Sequence, residues 1–319
     1  IETDAQVCRV KFSGTRANAV VFSQGGKLKT AVARQEVILS AGALQSPQLL
    51  QLSGIGDATT LRNLGIDVLL DRPQVGQNLQ DHLQIRVMHR CNEPLTTNDD
   101  LRSWSRKIGM AVQYVAKRAG PMAVGINQAG AFVRTRADLE RPDIQFHFAA
   151  LSSDLPGAPL HDFSGFTSSV CQLRPTSRGH LKMTSNDPFA RPEIHPGYLS
   201  TEEDQKTVVA ALQVTRRIAQ QPALARFIVE EYKPGVDTQT DAALLEFARN
   251  NGVTIFHPAG TCRMGIDDHA IVDPSLKVKG VAGLRVVDCS IMPTLVSGNT
   301  HAPAVMIAEK AADMILDDV

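Results

Sequence analysis

The sequence lacks several features that would place it in a class at once. It has no apolar run near the roughly 18 residues that a membrane-spanning helix needs. Its five cysteines are odd in number, widely spaced and without a Cys-x-x-Cys pair, which argues against a disulfide framework or zinc site and favours a reducing compartment. Lys+Arg and Asp+Glu both total 33, so no net charge attracts nucleic acid. We expect a cytoplasmic protein without a membrane span, and peripheral attachment to the inner membrane stays open.

A complete dinucleotide-binding fingerprint is also missing. Such a fingerprint is a Gly-x-Gly-x-x-Gly turn between a strand and a helix whose N-terminus holds a pyrophosphate. The nearest match, Gly54–Thr59, has threonine in place of the third glycine and follows a helical pattern, so we interpret it as a helix stop. An NAD-linked dehydrogenase would need its own complete fingerprint, and none exists here.

The apolar patterns that are present predict one or two domains with a sizeable core. Strands are predicted at residues 7–12, 19–22, 30–33, 36–39, 66–70, 144–148, 179–184 and 284–288, and helices at 46–52, 57–64, 202–220 and 304–316. The alternation over the first 70 residues indicates an α/β layer. Near Asp81 and His82 this alternation ends, and the following residues, to about 255, hold predicted strands interleaved with helices.

Two histidines lie in Gly/Pro-punctuated segments near the end of the chain, where loops usually present chemistry. They are His257, in a segment that reads His-Pro-Ala-Gly-Thr-Cys-Arg-Met-Gly, and His301, in Ser-Gly-Asn-Thr-His-Ala-Pro. Two imidazoles that converge can take a proton from a substrate and hold the oxyanion that results. A structural role is the alternative for any single histidine.

Further segments carry the resemblance to one family. They are Ser40–Gly56, Leu173–Gly179 and Pro196–Ser200, besides the two histidine segments. Together they resemble the glucose–methanol–choline (GMC) family of FAD-dependent alcohol oxidoreductases, over nearly the whole chain. The resemblance implies an α/β fold with an α+β substrate domain. The expected boundaries are a first part of an FAD-binding domain at 1–83, an antiparallel-sheet substrate-binding domain at 84–255, and a C-terminal part of the FAD-binding domain at 256–319.

The resemblance also implies roles for individual residues. His257 would be the acid–base residue, with His301 as its hydrogen-bonding partner at the substrate oxygen. The residues implied at the cofactor are Val7 and Ala43 on the adenine side of FAD, Asp288 by the ribityl–pyrophosphate region, and Asn299, Thr300 and Ala302 in a loop against the flavin ring. Without the resemblance, Val7 and Ala43 would be assigned to the core, and Asp288 to an N-cap before Ser290.

The implied reaction is the oxidation of a primary alcohol to an aldehyde, with proton abstraction and hydride transfer to flavin N5. Oxygen or a quinone would take the electrons. A choline dehydrogenase-like activity is an alternative, but Gln84 stands where some choline enzymes have a carboxylate, and aromatic residues are only 5% of the chain. The sequence of Cys171–Pro175 resembles the corresponding segment of bacterial dehydrogenases that act on aliphatic or aromatic primary alcohols. No metal is predicted, since nothing completes a site around Asp267-Asp268-His269.

Compared with that family, the sequence resembles a C-terminal portion without the Gly-x-Gly-x-x-Gly segment. The 319 residues alone are therefore expected to hold FAD weakly or not at all and to be inactive by themselves. A catalytically silent piece that binds only partners or apolar ligands is the hypothesis from a different class.

Overall fold

The computed structural model describes residues 1–155 and 157–318, which divide into two compact units. Unit 1 comprises Ile1–Asp81, Arg174–Ser200 and Phe256–Val319, and unit 2 comprises His82–Leu173 and Thr201–Ile255. The segment 174–200, which lies inside the predicted substrate-binding segment, thus clusters with unit 1. None of the helices in the described residues has the length and apolar character to cross a membrane.

The strands are β1 Ala5–Ser13, β2 Arg16–Gln24, β3 Lys27–Val32, β4 Val37–Leu39, β5 Ile55–Gly56, β6 Leu70–Asp71, β7 Leu83–Cys91, β8 Ala129–Val133, β9 Ile144–Ala149, β10 Gly165–Gln172, β11 His180–Lys182, β12 Glu193–His195, β13 Ile228–Lys233, β14 Val253–Thr254 and β15 Leu284–Val286. The helices are α1 Gly42–Leu52, α2 Ala58–Asn63, α3 Thr97–Arg102, α4 Trp104–Lys117, α5 Glu202–Ala219, α6 Pro222–Ala225, α7 Asp241–Asn251 and α8 His301–Asp317, with 3₁₀ helices at Pro121–Ala123 and Cys289–Ile291.

Unit 1 combines an antiparallel sheet, β1-β2-β3, with short parallel pairs, β4–β15 and β5–β6, and an antiparallel pair, β11–β12. Tight turns join the first three strands, and Gly14, Gly25 and Gly26 have the positive φ that these turns require. One apolar core runs through the unit and includes Leu50 of α1 and Val286 of β15. The parallel pairing of β4 with β15 brings residues from both ends of the chain into one layer.

Unit 2 is built on one antiparallel sheet with the strand order β13-β7-β10-β9-β8, and β14 pairs with the start of β7. Helix α5 packs on β10 and on α7. The predicted helix 202–220 is confirmed, and Thr201 caps it by accepting a hydrogen bond from the Asp204 N–H. Thr215, the polar interruption of its apolar stripe, is buried because its hydroxyl donates to the Ala211 carbonyl at 2.8 Å. The expected antiparallel sheet with helices is confirmed.

Several predicted boundaries were wrong, and three of them have consequences for the arrangement of unit 1. Helix α1 begins at Gly42, four residues before the predicted start at Ser46, because contacts with distant residues extend it. The predicted strand at 66–70 reduces to a two-residue pairing at Leu70. Helix α8 begins at His301 and not at 304, because Pro303 lies in the first turn, where its missing N–H breaks no bond.

Candidate active site

Backbone hydrogen bonds in unit 1 join the segment after His257 to residues 78–81 and to the 3₁₀ helix Cys289–Ile291. Gln80 and Ala259 exchange both of their N–H···O bonds, at 3.0 and 2.9 Å. Farther along, the Cys262 N–H donates to the Ser290 carbonyl at 2.8 Å. The segment after His257 is therefore held on one side by residues 78–81 and on the other by the 3₁₀ helix. This pairing gives the histidine segment a fixed register.

His257 is buried, and its backbone is anchored by a buried carboxylate. Its N–H donates to Asp81 Oδ1 at 2.9 Å, and the Tyr198 hydroxyl donates to Asp81 Oδ2 in a very short hydrogen bond. The preceding residue, Phe256, has φ 62°, a left-handed conformation that costs a bulky residue on the order of 1–3 kcal/mol. The position of His257 is therefore fixed by a bond to a buried acid and by a strained residue before it.

The Ser40–Gly56 segment contacts the histidine segment one helical turn before Pro47. A proline inside a helix cannot donate to the carbonyl four residues earlier, which here belongs to Ala43. The Thr261 hydroxyl donates to that same carbonyl at 2.6 Å. Both residues are buried, so this bond satisfies a carbonyl that would otherwise lack a partner. Thr261 of one motif thus supplies the hydrogen bond that Pro47 of the other motif cannot make.

Asp288 occupies the N-terminus of α1. Its Oδ2 accepts from the Gly42 N–H at 2.9 Å and from the Ser46 hydroxyl at 2.5 Å, and its Oδ1 accepts from the Ser290 N–H at 2.8 Å. The last contact makes Asp288 the N-cap of the 3₁₀ helix, the structural alternative that the sequence left open. The carboxylate also places negative charge at the positive end of α1. Its role at a cofactor remains a proposal.

The remaining predicted cofactor residues lie at two places in unit 1. Ala43 is buried in α1, and Val7 is half-buried in β1. Thr300 is the N-cap of α8, Asn299 precedes it, and His301 and Ala302 are exposed in its first turn, so Ala302 is helical and not in a loop as predicted.

The N-terminus of α8 has chemical properties of its own. No side chain makes a capping bond there among the described residues, and the first turn contains no acidic residue. The unpaired N–H groups and the helix dipole favour an electron-rich partner at this end. The convergence of the His257 and His301 imidazoles remains a prediction.

The other titratable groups near these segments have structural roles. Burial, with Asp288 nearby, raises the pKa of the Cys262 thiol, and burial likewise raises the pKa of Cys289. Neither is therefore a reactive thiolate near neutral pH. His82, in unit 2, is fully buried, and its Nε2 makes a 3.0 Å hydrogen bond to the Leu173 carbonyl. The Asp267 carboxylate pairs with Arg263 at 2.6 Å.

Sequence reasoning missed three residues that hold this arrangement together: Asp81, Tyr198 and Thr261. Tyr198 and Thr261 lie inside motif segments, and Asp81 lies where the sequence pattern changes, but their bonds join residues that are between 117 and 218 positions apart.

Comparison with known proteins assigns the same segments to one family. Two models of the GMC oxidoreductase family match the chain, the N-terminal one over residues 1–84 and the C-terminal one over residues 175–308. Oxygen-dependent choline dehydrogenases are similar: that of Burkholderia pseudomallei (strain K96243) is 44% identical over 316 residues, and that of Staphylococcus xylosus is 41% identical over 318 residues. Each alignment covers 99% of this chain and 56% of the relative.

Solved structures agree with this assignment. A pyridoxine 4-oxidase from Mesorbium loti superposes with a TM-score of 0.83 at 30% identity, covering 97% of this chain and 56% of that protein. A formate oxidase from Aspergillus oryzae RIB40, in a study of FAD modification, superposes with a TM-score of 0.92 at 25% identity, covering 98% and 60%. The chain thus spans little more than half the length of the proteins it matches.

Proposed function

The chain belongs to the GMC oxidoreductase family, and we propose that it serves an FAD-dependent enzyme that oxidises a primary alcohol to an aldehyde. The observation that carries this proposal is the placement of His257. A buried histidine, held by a buried acid and preceded by a strained residue, is what a positioned acid–base group requires. The names of the similar proteins, which are oxidases and dehydrogenases of small molecules, support the same reaction class.

FAD is the cofactor that we propose, and the formate oxidase described with FAD modification supports it. When bound, FAD supplies a hydride acceptor. We assign Val7, Ala43 and Asp288 to its adenosine and pyrophosphate side. The flavin ring would lie at the N-terminus of α8, near Asn299, Thr300 and Ala302. The fit is favourable there, because the uncapped helix end can donate to an electron-rich ring edge and stabilise negative charge on it.

The two histidines are proposed to act on the hydroxyl group of the alcohol. We propose that the neutral imidazole of His257 accepts the hydroxyl proton and that His301 donates a hydrogen bond to the substrate oxygen as negative charge develops on it. Because the His257 backbone is fixed by Asp81, the main chain that carries the imidazole needs little reorganisation when substrate arrives.

Anaerobic mixing of the FAD-loaded protein with a primary alcohol tests this function. The flavin absorbance should bleach and one equivalent of aldehyde should appear. Aldehyde formation without flavin bleaching, or bound flavin that no alcohol reduces, would contradict the proposal. Oxygen is the proposed electron acceptor, because the similar choline dehydrogenases are named oxygen-dependent. Faster reoxidation by a quinone than by oxygen would instead favour the quinone.

Whether the 319 residues act alone is a separate proposal. We propose that they hold FAD weakly by themselves, because the α1 N-terminus, a ready site for phosphate, is already filled by Asp288. The flavin content of the purified chain tests this, and a stoichiometric flavin spectrum would contradict it. A silent piece would show neither flavin binding nor flavin reduction after reconstitution.

For localisation we propose a cytoplasmic protein that attaches peripherally to an anionic membrane through α4. This helix buries none of its residues, and Trp104, Ile108, Val112 and Val115 form one exposed apolar face. Residues 101–137 contain seven Lys or Arg and no Asp or Glu. Basic amphipathic helices of this kind bind bilayer interfaces. Sedimentation with anionic but not neutral vesicles, lost in a Trp104→Ser/Ile108→Ser variant, is expected; equal sedimentation of that variant would contradict the proposal.

A further inference from the structure

Arg86 is a buried cation to which the described part of the chain offers no hydrogen-bond or ion-pair partner. It lies in β7 of unit 2, and it is 9% exposed. Within residues 1–155 and 157–318, no hydrogen bond or ion pair reaches its guanidinium, and its Nη1 is fully buried. Burial lowers the pKa of Arg86, although the Asp154 carboxylate opposes this effect. An unpaired buried charge is costly, so its retention points to a ligand.

Asp154, the acid whose charge acts on Arg86, already interacts with other groups in unit 2. Asp154 Oδ1 lies 3.6 Å from Lys233 Nζ and 3.6 Å from His161 Nε2, and its side chain is largely exposed. Arg86, Lys233 and Asp154 line one open pocket together with Asn250 and Asn251. The pocket therefore contains two cations, one acid and neutral hydrogen-bonding groups, an arrangement suited to one further negative charge.

The register of the sheet places more donors on the same face. Arg86 pairs directly with Ser169 of β10, and Ser169 pairs directly with His147 of β9. Directly opposed residues point to one face, so the three side chains form a row that spans roughly 10 Å. The His147 Nδ1 is buried and has no partner among the described residues. Helix α5 contacts the opposite face, where Asp204 accepts a 3.0 Å bond from Gln172.

We propose that Arg86 binds an anionic group of the substrate, and that the substrate is a primary alcohol carrying a carboxylate. This inference rests on the proposed function, the oxidation of an alcohol, and on the predicted substrate-binding role of residues 84–255, in which Arg86 lies. A guanidinium can bind a carboxylate through two parallel hydrogen bonds. The same cation repels a quaternary ammonium, so this chain would differ in substrate from the choline dehydrogenases that it resembles.

Equilibrium binding to the 319-residue chain tests the proposal without flavin or turnover. The probes are 3-hydroxypropanoate, its neutral match propan-1-ol, choline and inorganic phosphate, in low-salt buffer. We expect 3-hydroxypropanoate to bind more tightly than the other three and its Kd to rise at least about tenfold in Arg86→Gln. Arg90→Gln is the matched control, because Arg90 is on the same strand but half-exposed and paired with Glu230 at 3.5 Å. Its Kd should stay unchanged.

Three results would overturn the proposal: no binding of 3-hydroxypropanoate, the same Kd in Arg86→Gln, or phosphate binding as tightly, which would indicate an unspecific anion site. A second variant guards against misfolding. Arg86→Met should raise the melting temperature of the ligand-free chain, because it removes an unpaired buried charge, and should abolish any further rise on adding 3-hydroxypropanoate. If it melts lower, Arg86 serves packing. Arg86-dependent binding in a protein that oxidises no alcohol would refute the proposed function alone.

Discussion

Asp81 accepts a hydrogen bond of 2.9 Å from the backbone N–H of His257, a residue 176 positions later in the chain. The bond holds the main chain of the histidine and leaves the imidazole to other partners. It also places the acid where the Tyr198 hydroxyl can donate to its second oxygen. One buried carboxylate thus fixes the segment that carries the proposed base.

Replacement of Asp81 tests this anchoring role. Asp81→Ala leaves the buried His257 N–H without an acceptor and should cost about 1–3 kcal/mol of unfolding free energy. Asp81→Asn retains an acceptor oxygen and should cost less. Tyr198→Phe is the control, because it removes one bond to Asp81 but leaves the His257 bond in place. Urea denaturation gives the three values, and equal losses for Asp81→Ala and Asp81→Asn would show that the acceptor is unimportant.

His257 is the proposed base, and its loss should act on turnover. His257→Ala in the FAD-loaded protein should reduce alcohol turnover by roughly 10²-fold or more, while substrate affinity changes less. His195→Ala serves as the control, since His195 is exposed on β12 of the same unit. Turnover and flavin content are measured together. A loss below about threefold at normal flavin content would assign the base to another residue.

The bond from Thr261 to the Ala43 carbonyl gives a prediction that needs no activity. Thr261→Val keeps the shape of the side chain but leaves this carbonyl unpaired, which should cost about 1–3 kcal/mol. In a Pro47→Ala background the helix can supply its own donor to that carbonyl, so the cost should fall. A double-mutant cycle by chemical denaturation measures the coupling. Additive effects would mean that the proline and the threonine are independent.

Local patterns predicted the regular elements well where neighbouring residues decide them. Strand β9 and helix α5 can be predicted from the spacing of apolar residues within each segment itself. The start of α1 was missed because the Asp288 carboxylate, 246 positions from Gly42, satisfies its first N–H. No local pattern contains such a contact.

The candidate site shows the same division. The sequence proposed His257 from its motif segment and Asp288 from the family resemblance, and both remain proposals. The Asp81 anchor and the structural use of Asp288 depend on bonds between side chain and distant backbone, which only the folded chain defines. Arg86 was also missed, because an arginine in a strand looks exposed until the sheet has buried it.

His89 in unit 2 should make stability depend on pH. It is buried against Phe166, and burial lowers its pKa, with Glu231 raising it and Arg216 lowering it to smaller extents. Below about pH 6.5 His89 binds a proton in the unfolded chain but stays neutral in the folded chain. The free energy of unfolding therefore falls as the pH decreases toward the pKa of His89 in the folded chain.

The slope from one such group is at most about 1.4 kcal/mol per pH unit. His89→Phe keeps the ring stacking but cannot titrate, so less stability should be lost between pH 7.5 and 5.5 than in the unchanged protein. Unfolding midpoints at the two pH values give this difference. His147, whose pKa burial also lowers, should supply a residual slope. An unchanged slope in His89→Phe would show that His89 does not titrate in this range.

His301 is the last of the proposed catalytic groups, and its contribution depends on a hydrogen-bond donor at the exposed first turn of α8. Asparagine keeps a donor there and alanine does not. Loss of a donor to a developing oxyanion costs roughly 2.7–4 kcal/mol in comparable sites, so His301→Ala should slow anaerobic flavin reduction by about 10²-fold or more. His301→Asn should recover part of that rate. Because both variants leave His257 and the helix start in place, their comparison isolates the donor. Equal rates for the two would mean that His301 positions the flavin or packs against it, and that the oxyanion is stabilised by another group.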